Sequence, residues 1–295
     1  MWGRIEMKKG DAWFKAVTFG FALSIPFLLL ILILILLIQS WSSISHFGFG
    51  FIFGNVWDPL ADKFSALPFI YGTLVSSLIA LAIAVPLGMG CAIYLSEISH
   101  SKVKEYIAVM VELLAAIPSV VYGLWGIFVL GPWLTRVIPG MKYGSCLLTG
   151  GVILAIMILP TITAISREVF QAVPNSLRES ALALGATRWE TFRLAVFGPA
   201  LSGIVGAIIL GLGRALGETM AVTMVIGNRP EISASLFEPS YTLASVIANE
   251  FAEATSSLNL SALIELALIL LVLTIIVNGI ARLLVWKTTL KYNPN

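Results

Sequence analysis

Arg214 and Glu218 stand four residues apart in a stretch, residues 199–226, that carries no other charge. At that spacing a helix brings a guanidinium and a carboxylate onto one face, where they can pair. A guanidinium suits phosphate-like oxyanions because its planar fork donates two parallel hydrogen bonds. Glu218 would then hold the fork in position and offset its charge when no anion is bound. Thr219 and Thr223 add hydroxyls nearby. The competing reading is a plain ion pair that locks helices together. Ser119 and Tyr122, in Ile117-Pro118-Ser119-Val120-Val121-Tyr122-Gly123, can line the same path. Glu112 and Glu265 also fall in apolar runs and are expected to snorkel or to be paired. A charge at mid-bilayer costs about 2.5–3.5 kcal/mol on insertion scales, so each of these groups should face protein or water.

Other chemistries find no footing. The chain has no G-x-x-x-x-G-K-[ST] phosphate loop, no G-x-S-x-G, no H-E-x-x-H and no C-x-x-C. Cys91 and Cys146 form neither a disulfide framework nor a metal site, and His46 and His100 stand far apart without ligands around them. No catalytic residue, resident cofactor or metal is expected, and a net charge of +2 gives no argument for nucleic acid.

A different task falls to the polar stretch Ser176–Glu190, which interrupts two long apolar runs. Pro174 suits the start of a helix, and Asn175 or Ser176 can cap it. Leu177, Ala181 and Leu184 follow at i, i+4 and i+7 on one stripe, beside Arg178 and Glu179. Gly185 ends that helix, and a second amphipathic piece runs from about Thr187 towards Phe197. Two short helices around a glycine turn offer a surface to something outside the bilayer.

These residues must be positioned by membrane-crossing helices. Hydrophobic residues make up 58% of the chain and charged residues 12%, about half the charged share of a soluble domain; mean hydropathy is +0.96. Six spans are expected, at about 16–38, 71–95, 107–130, 147–166, 199–226 and 261–286, each sufficient for roughly 30 Å of hydrocarbon. The first resembles an uncleaved anchor rather than a signal peptide, being too long and lacking a cleavage site. Gly203, Gly206, Gly213 and Gly217 line one face of the fifth span, so another helix can approach closely. Pro26, Pro86, Pro118 and Pro160 each free a carbonyl that must find a partner.

Charge orients the bundle. Of the 18 basic residues, only Lys63, Arg136, Lys142 and Arg229 fall in loops on one side, with Arg214 inside a span. The positive-inside rule puts both termini and the Ser176–Glu190 stretch in the cytoplasm. The expected organisation is a cytoplasmic segment 1–15, a transmembrane domain 16–286 with its cytoplasmic loop at about 174–198, and a cytoplasmic tail 287–295. Two outer segments stand out. His46 to Phe69 is dense in Phe, Trp and Gly, either anchoring helices or offering a docking face; 227–260 sets Glu231, Glu238, Glu250 and Glu253 against Arg229.

At this point the motifs carry a resemblance. Glu179-Ser180-Ala181-xxx-Gly185 resembles the E-A-A-xxx-G loop of ABC importer permeases, with Ser180 in place of the middle Ala. Gly211-Leu212-Gly213-Arg214-Ala215-Leu216-Gly217-Glu218-Thr219-Met220-Ala221-Val222 resembles the characteristic segment of the phosphate-transport permeases. Trp57-Asp58-Pro59, Gly72-Thr73-Leu74 and Pro86-Leu87-Gly88 are similar to one of the two permease types in such systems rather than the other. Phe197-Gly198-Pro199 departs from the pattern, its proline one place late, which bears on how the second loop helix joins the fifth span.

The resemblance implies an all-α membrane protein of the type I ABC importer permease fold, in the inner membrane of a bacterium. It implies a second permease subunit, a dimeric ATPase beneath that carries ATP and Mg, and an extracytoplasmic phosphate-binding protein above. Glu179, Ser180, Ala181 and Gly185 would couple to the ATPase; Arg214, Glu218, Thr219, Ser119 and Tyr122 would line the path; Gly206, Gly213 and Gly217 would pack helices. A permease for molybdate, sulfate or phosphonate is the nearest alternative, followed by a secondary transporter or channel, and more distantly by a membrane enzyme.

Overall fold

The computed structural model describes residues 9–99 and 101–292. Arg4, Lys8 and most of the expected N-terminal segment, His100, and the last three residues of the expected tail lie outside the described residues. The architecture is all-α, with α1 (Lys9–Phe47), α2 (Leu67–Ile98), α3 (Ser101–Ala116), α4 (Ser119–Val137), α5 (Leu147–Ala172), α6 (Asn175–Ala183), α7 (Arg188–Gly217), α8 (Met220–Val225), α9 (Leu243–Glu250) and α10 (Ser257–Tyr292). Six of these, α1, α2, α4, α5, α7 and α10, are long and apolar enough to cross a membrane.

α2 and α5 form the centre of the bundle, with α7 against α5 and α1 against α10 at the periphery. Small residues let the central helices meet. A Cβ on Gly151 would lie 2.6 Å from the Ile79 side chain, and one on Gly88 would lie 3.2 Å from Ile162 and Thr163. The core around them contains Ala80, Ala84, Leu154, Ile158 and Ile162. The α1–α10 contact is polar at one point. The Ser261 hydroxyl accepts from the Ser43 N–H and donates to the Gln39 carbonyl, both at 3.0 Å. Those two backbone groups stand four residues apart in α1, so Ser261 bonds to both ends of one rung of the α1 ladder.

Two spans differ from their sequence expectations. The third starts at Ser119 rather than near residue 107, because Pro118 has no N–H and ends the preceding helix. Glu112 therefore lies on α3, outside the six spans, largely exposed and 3.8 Å from Arg167. The fifth span ends at Gly217 rather than near 226, since Glu218 is extended (φ −69°, ψ 127°) and α8 begins afresh at Met220.

A wide helical turn ends α2 at Tyr94–Ile98 and interrupts α4 and α7 at Gly126–Leu130 and Phe192–Val196. The last two are followed closely by Pro132 and Pro199, which cannot donate to the carbonyl four residues back. The departure at Phe197-Gly198-Pro199 is absorbed this way. The second loop helix and the fifth span form one continuous rod, Arg188–Gly217.

At the end where α1 and α2 are joined, the aromatic segment packs inward. Phe51, Phe64 and Phe69 are buried, Trp57 meets Phe64 and Phe69 edge-on at 4.9 Å, and Phe69 meets Tyr241 at 5.4 Å. Phe49, Phe53 and Leu60 of the same segment remain exposed. Gly72 and Thr73 receive the chain entering α9. A Cβ on Gly72 would strike the Tyr241 carbonyl, and the Thr73 hydroxyl accepts from the Leu243 N–H at 2.9 Å.

Candidate translocation path and coupling loop

The candidate path residues gather at two helix breaks. Pro118 opens the first. Its missing N–H leaves the Leu114 carbonyl with only a long bond from the Ile117 N–H at 3.4 Å, and the buried Tyr122 donates its hydroxyl there at 2.8 Å. Ser119, half-buried, occupies the first turn of α4 on the same side of the break. The second break is Glu218-Thr219. α4 and α8 pack face to face between them, since a Cβ on Gly123 would lie 2.5 Å from the Met224 sulfur and 3.3 Å from Ala221.

The expected Arg214–Glu218 pair does not form. Arg214 is exposed in the last turn of α7, where the helix dipole favours a cation, and has no ion-pair partner among the described residues. The half-buried Glu218 instead accepts from the Ala221 N–H at 3.2 Å. The reason is local: i, i+4 pairing needs continuous helix, and the chain leaves the helix at Glu218. The Thr219 hydroxyl donates to the Gly217 carbonyl at 3.3 Å, and its own carbonyl accepts from the Thr223 hydroxyl at 2.7 Å.

The glycines divide by role. Gly203 and Gly211 face α5, where a Cβ would lie 2.5 Å from Val169 and 2.9 Å from Ile162. Gly206 and Gly217 have open space around them, and Gly213 has only the Asn278 amide at 3.9 Å. Within this chain Gly206 and Gly217 meet no other helix, while Gly213 faces α10; the two open glycines leave a strip without side chains near Arg214.

The loop takes the expected glycine turn with two changes, since the second helix runs on as α7 and the first lacks its side-chain cap. Gly185 has φ +87°, its N–H donates to the Leu182 carbonyl and the Ala186 N–H to the Ala181 carbonyl, so the helix closes with a left-handed glycine turn. Thr187 and Glu190 cap the second helix reciprocally. The start of α6 has no side-chain cap; the Asn175 amide oxygen accepts from Arg178 instead. No residue of α6 is buried, Glu179 and Ser180 point outward, and Leu177, Leu182 and Leu184 are exposed. Of the apolar stripe, Ala181 is half-buried while Leu177 and Leu184 stay exposed.

A model of the binding-protein-dependent transport system inner membrane component family matches residues 84–289. The chain belongs to this family. As such an inner membrane component it is a multi-pass protein of the bacterial inner membrane, and its relatives are named as transport permeases rather than as enzymes. It is 46% identical to the phosphate transport system permease protein PstC of Mesorhizobium japonicum, over 94% of this chain and 90% of that protein. Identity to the PstC of Pasteurella multocida is 44%, over 93% and 91%. Identity to PstC 2 of Mycobacterium tuberculosis is 42%, over 71% and 70%. The fold is that of ABC importers. A chain of the inward-facing MetNI methionine ABC transporter superposes with TM-score 0.57 at 21% identity, over 78% of this chain and 96% of that one. A chain of a bacterial alginate ABC transporter superposes with TM-score 0.60 at 16% identity, over 93% and 96%.

Sequence reasoning passed over several groups that the structure employs. Glu97 gives no local signal, because its partner lies 81 residues away, and Thr73 stands out only within a motif, its partner being 170 residues away. Trp57 was noted only within a motif; its indole N–H donates to Glu250 at 2.8 Å across 193 residues.

Proposed function

We propose that this chain is the permease subunit of an ATP-driven importer of inorganic phosphate, supplying half of the translocation path. The observation that carries the reading is Arg214, an exposed cation without an ion-pair partner among the described residues, one turn from Gly217, around which its own chain leaves open space. An exposed charge at membrane depth needs protein or water around it. A second, PstA-like permease seated on that strip would enclose Arg214 in a path shared by the two chains. Guanidinium chemistry then favours a tetrahedral oxyanion. Glu218, Thr219, Ser119 and Tyr122 line that path from the two helix breaks.

Energy enters elsewhere. A PstB-like ATPase dimer engages Glu179, Ser180, Ala181 and the exposed part of the α6 stripe, on the cytoplasmic side with both termini. The rigid left-handed turn at Gly185 holds α6 at a set angle to α7, so closure of the ATPase moves α7, which bears Arg214. A PstS-like phosphate-binding protein docks at the opposite end, where Phe49, Phe53 and Leu60 are exposed. The names and near full-length coverage of the PstC relatives support phosphate as the substrate.

The test is to purify the chain from its host with whatever accompanies it, and to measure ATP hydrolysis and uptake in liposomes with phosphate, sulfate and molybdate. Phosphate-dependent hydrolysis with matching uptake is the expected result. Uptake by the chain alone without nucleotide would overturn the reading.

A further inference from the structure

The helix α6 has only a shallow apolar footing on the bundle, since none of its nine residues is buried. One long side chain reaches inward from it, that of Arg178, with 17% of its area exposed. Its guanidinium uses every donor it has. Nη2 and Nε meet the two oxygens of Glu97 at 2.9 and 3.3 Å. Nη2 also donates to the Phe170 carbonyl at 2.7 Å, and Nη1 to the Val173 carbonyl at 2.6 Å and the Asn175 amide oxygen at 3.2 Å. Glu97 belongs to the wide turn that ends α2, and Phe170 to the last turns of α5. One side chain thus ties the exposed helix to the ends of both central spans.

The link between α5 and α6 is short and extended, Val173 at ψ 127° and Pro174 at ψ 135°. Rotation about it would let α6 swing while α2 stayed still. α6 also touches the start of α7, so α7 can follow it through packing alone. α2 is different. Among the described residues its polar connection to α6 is the two-pronged bond between Glu97 and Arg178, and the planar fork resists pivoting where a single bond would not.

We propose that Arg178 and Glu97 form a transmission pin, positioning residues that make α2 and α5 move with the loop helix when the ATPase moves it. The proposal rests on the importer reading above. Without the pin, the ATPase would still dock on α6 and turn over, while the central spans would follow its stroke poorly.

The experiment compares wild type, Glu97→Gln, Arg178→Met and Arg178→Lys, each as the complex purified with its ATPase and reconstituted in liposomes. Phosphate taken up per ATP hydrolysed is the readout, because a contact needed only for folding would lower uptake and hydrolysis together. The expected result is a fall of about tenfold in that ratio for Glu97→Gln and Arg178→Met, with the ATPase still bound and turning over. Arg178→Lys, which keeps the charge but loses the fork, should fall between them and wild type. An unchanged ratio in both Glu97→Gln and Arg178→Met overturns the pin while leaving the importer reading intact. Loss of the ATPase from both complexes also overturns it, as the pair would then be a folding contact. Absence of phosphate-dependent hydrolysis in wild type overturns the importer reading itself, and the pin with it.

Discussion

Arg214 and Glu218 are separated by a helix end: the guanidinium is exposed on the last turn of α7, while the carboxylate has turned away to accept from the Ala221 N–H at 3.2 Å. The cation is therefore not neutralised by its neighbour. Arg214→Gln should abolish phosphate uptake, by at least about tenfold, while the complex still assembles, because Gln keeps hydrogen-bonding capacity but no charge. Glu218→Gln should act more mildly, since the Gln oxygen can still accept from Ala221. Uptake at limiting phosphate, with co-purification as the assembly control, checks both. Full uptake by Arg214→Gln would remove Arg214 from the path.

Gly206 meets nothing within 4 Å in its own chain. Gly206→Phe should leave the folded chain intact and weaken its hold on the second permease, because the bulk would collide only with another polypeptide. Co-purification of that subunit measures the effect. Undiminished association would place the partner on a different face.

Gly185→Val should uncouple transport from hydrolysis. Gly185 has φ +87°, and a residue with a Cβ there costs about 1–2 kcal/mol. The cheaper outcome for the chain is a different turn, which tilts α6 relative to α7. Reconstituted vesicles should show hydrolysis with little uptake.

Tyr122→Phe keeps the ring but strips the Leu114 carbonyl of its 2.8 Å donor. The expected cost is about 1 kcal/mol, the net worth of a typical hydrogen bond. A lowered midpoint in thermal unfolding of the purified protein is the measurement, and an unchanged midpoint would mean that another donor replaces the phenol.

Glu250, at the end of α9, has its carboxyl pushed above the usual range by burial, an effect opposed by the Trp57 indole and reinforced by Glu253. The folded protein therefore holds this proton more tightly than the unfolded chain does. That contribution to stability is present below the ordinary carboxylate range and is lost as pH rises through the raised folded value. Glu250→Gln retains an oxygen for the Trp57 N–H and removes the titration. Between about pH 5 and about pH 8 the variant should lose less stability than wild type, as read by thermal unfolding at the two values.

Much of this was legible from residue order because its causes are local. The apolar runs announce spans, since every residue facing hydrocarbon must itself be apolar. Gly185 announces a left-handed turn, since other side chains resist that backbone conformation. Pro118 and Pro199 announce disturbed ladders, since each lacks a donor. The limit was reached where two local rules compete. Residues 199–226 are apolar enough to read as one helix, yet the chain breaks at Glu218, because α8 packs its Ala221 and Met224 against Gly123 of α4 and so takes a new direction.

Pairings across the chain left no such trace. Arg178 reads as one more solvent-facing charge of a loop, and becomes a junction only because the ends of α2 and α5 converge on it. Glu97, Thr73, Ser261 and Glu250 acquire partners in the same way, from elements 81 to 222 residues distant. Sequence settles what each segment is, because backbone sterics and transfer free energy act residue by residue. Packing settles which segments meet, and thereby which polar groups are satisfied and which, like Arg214, are left for a ligand or a partner.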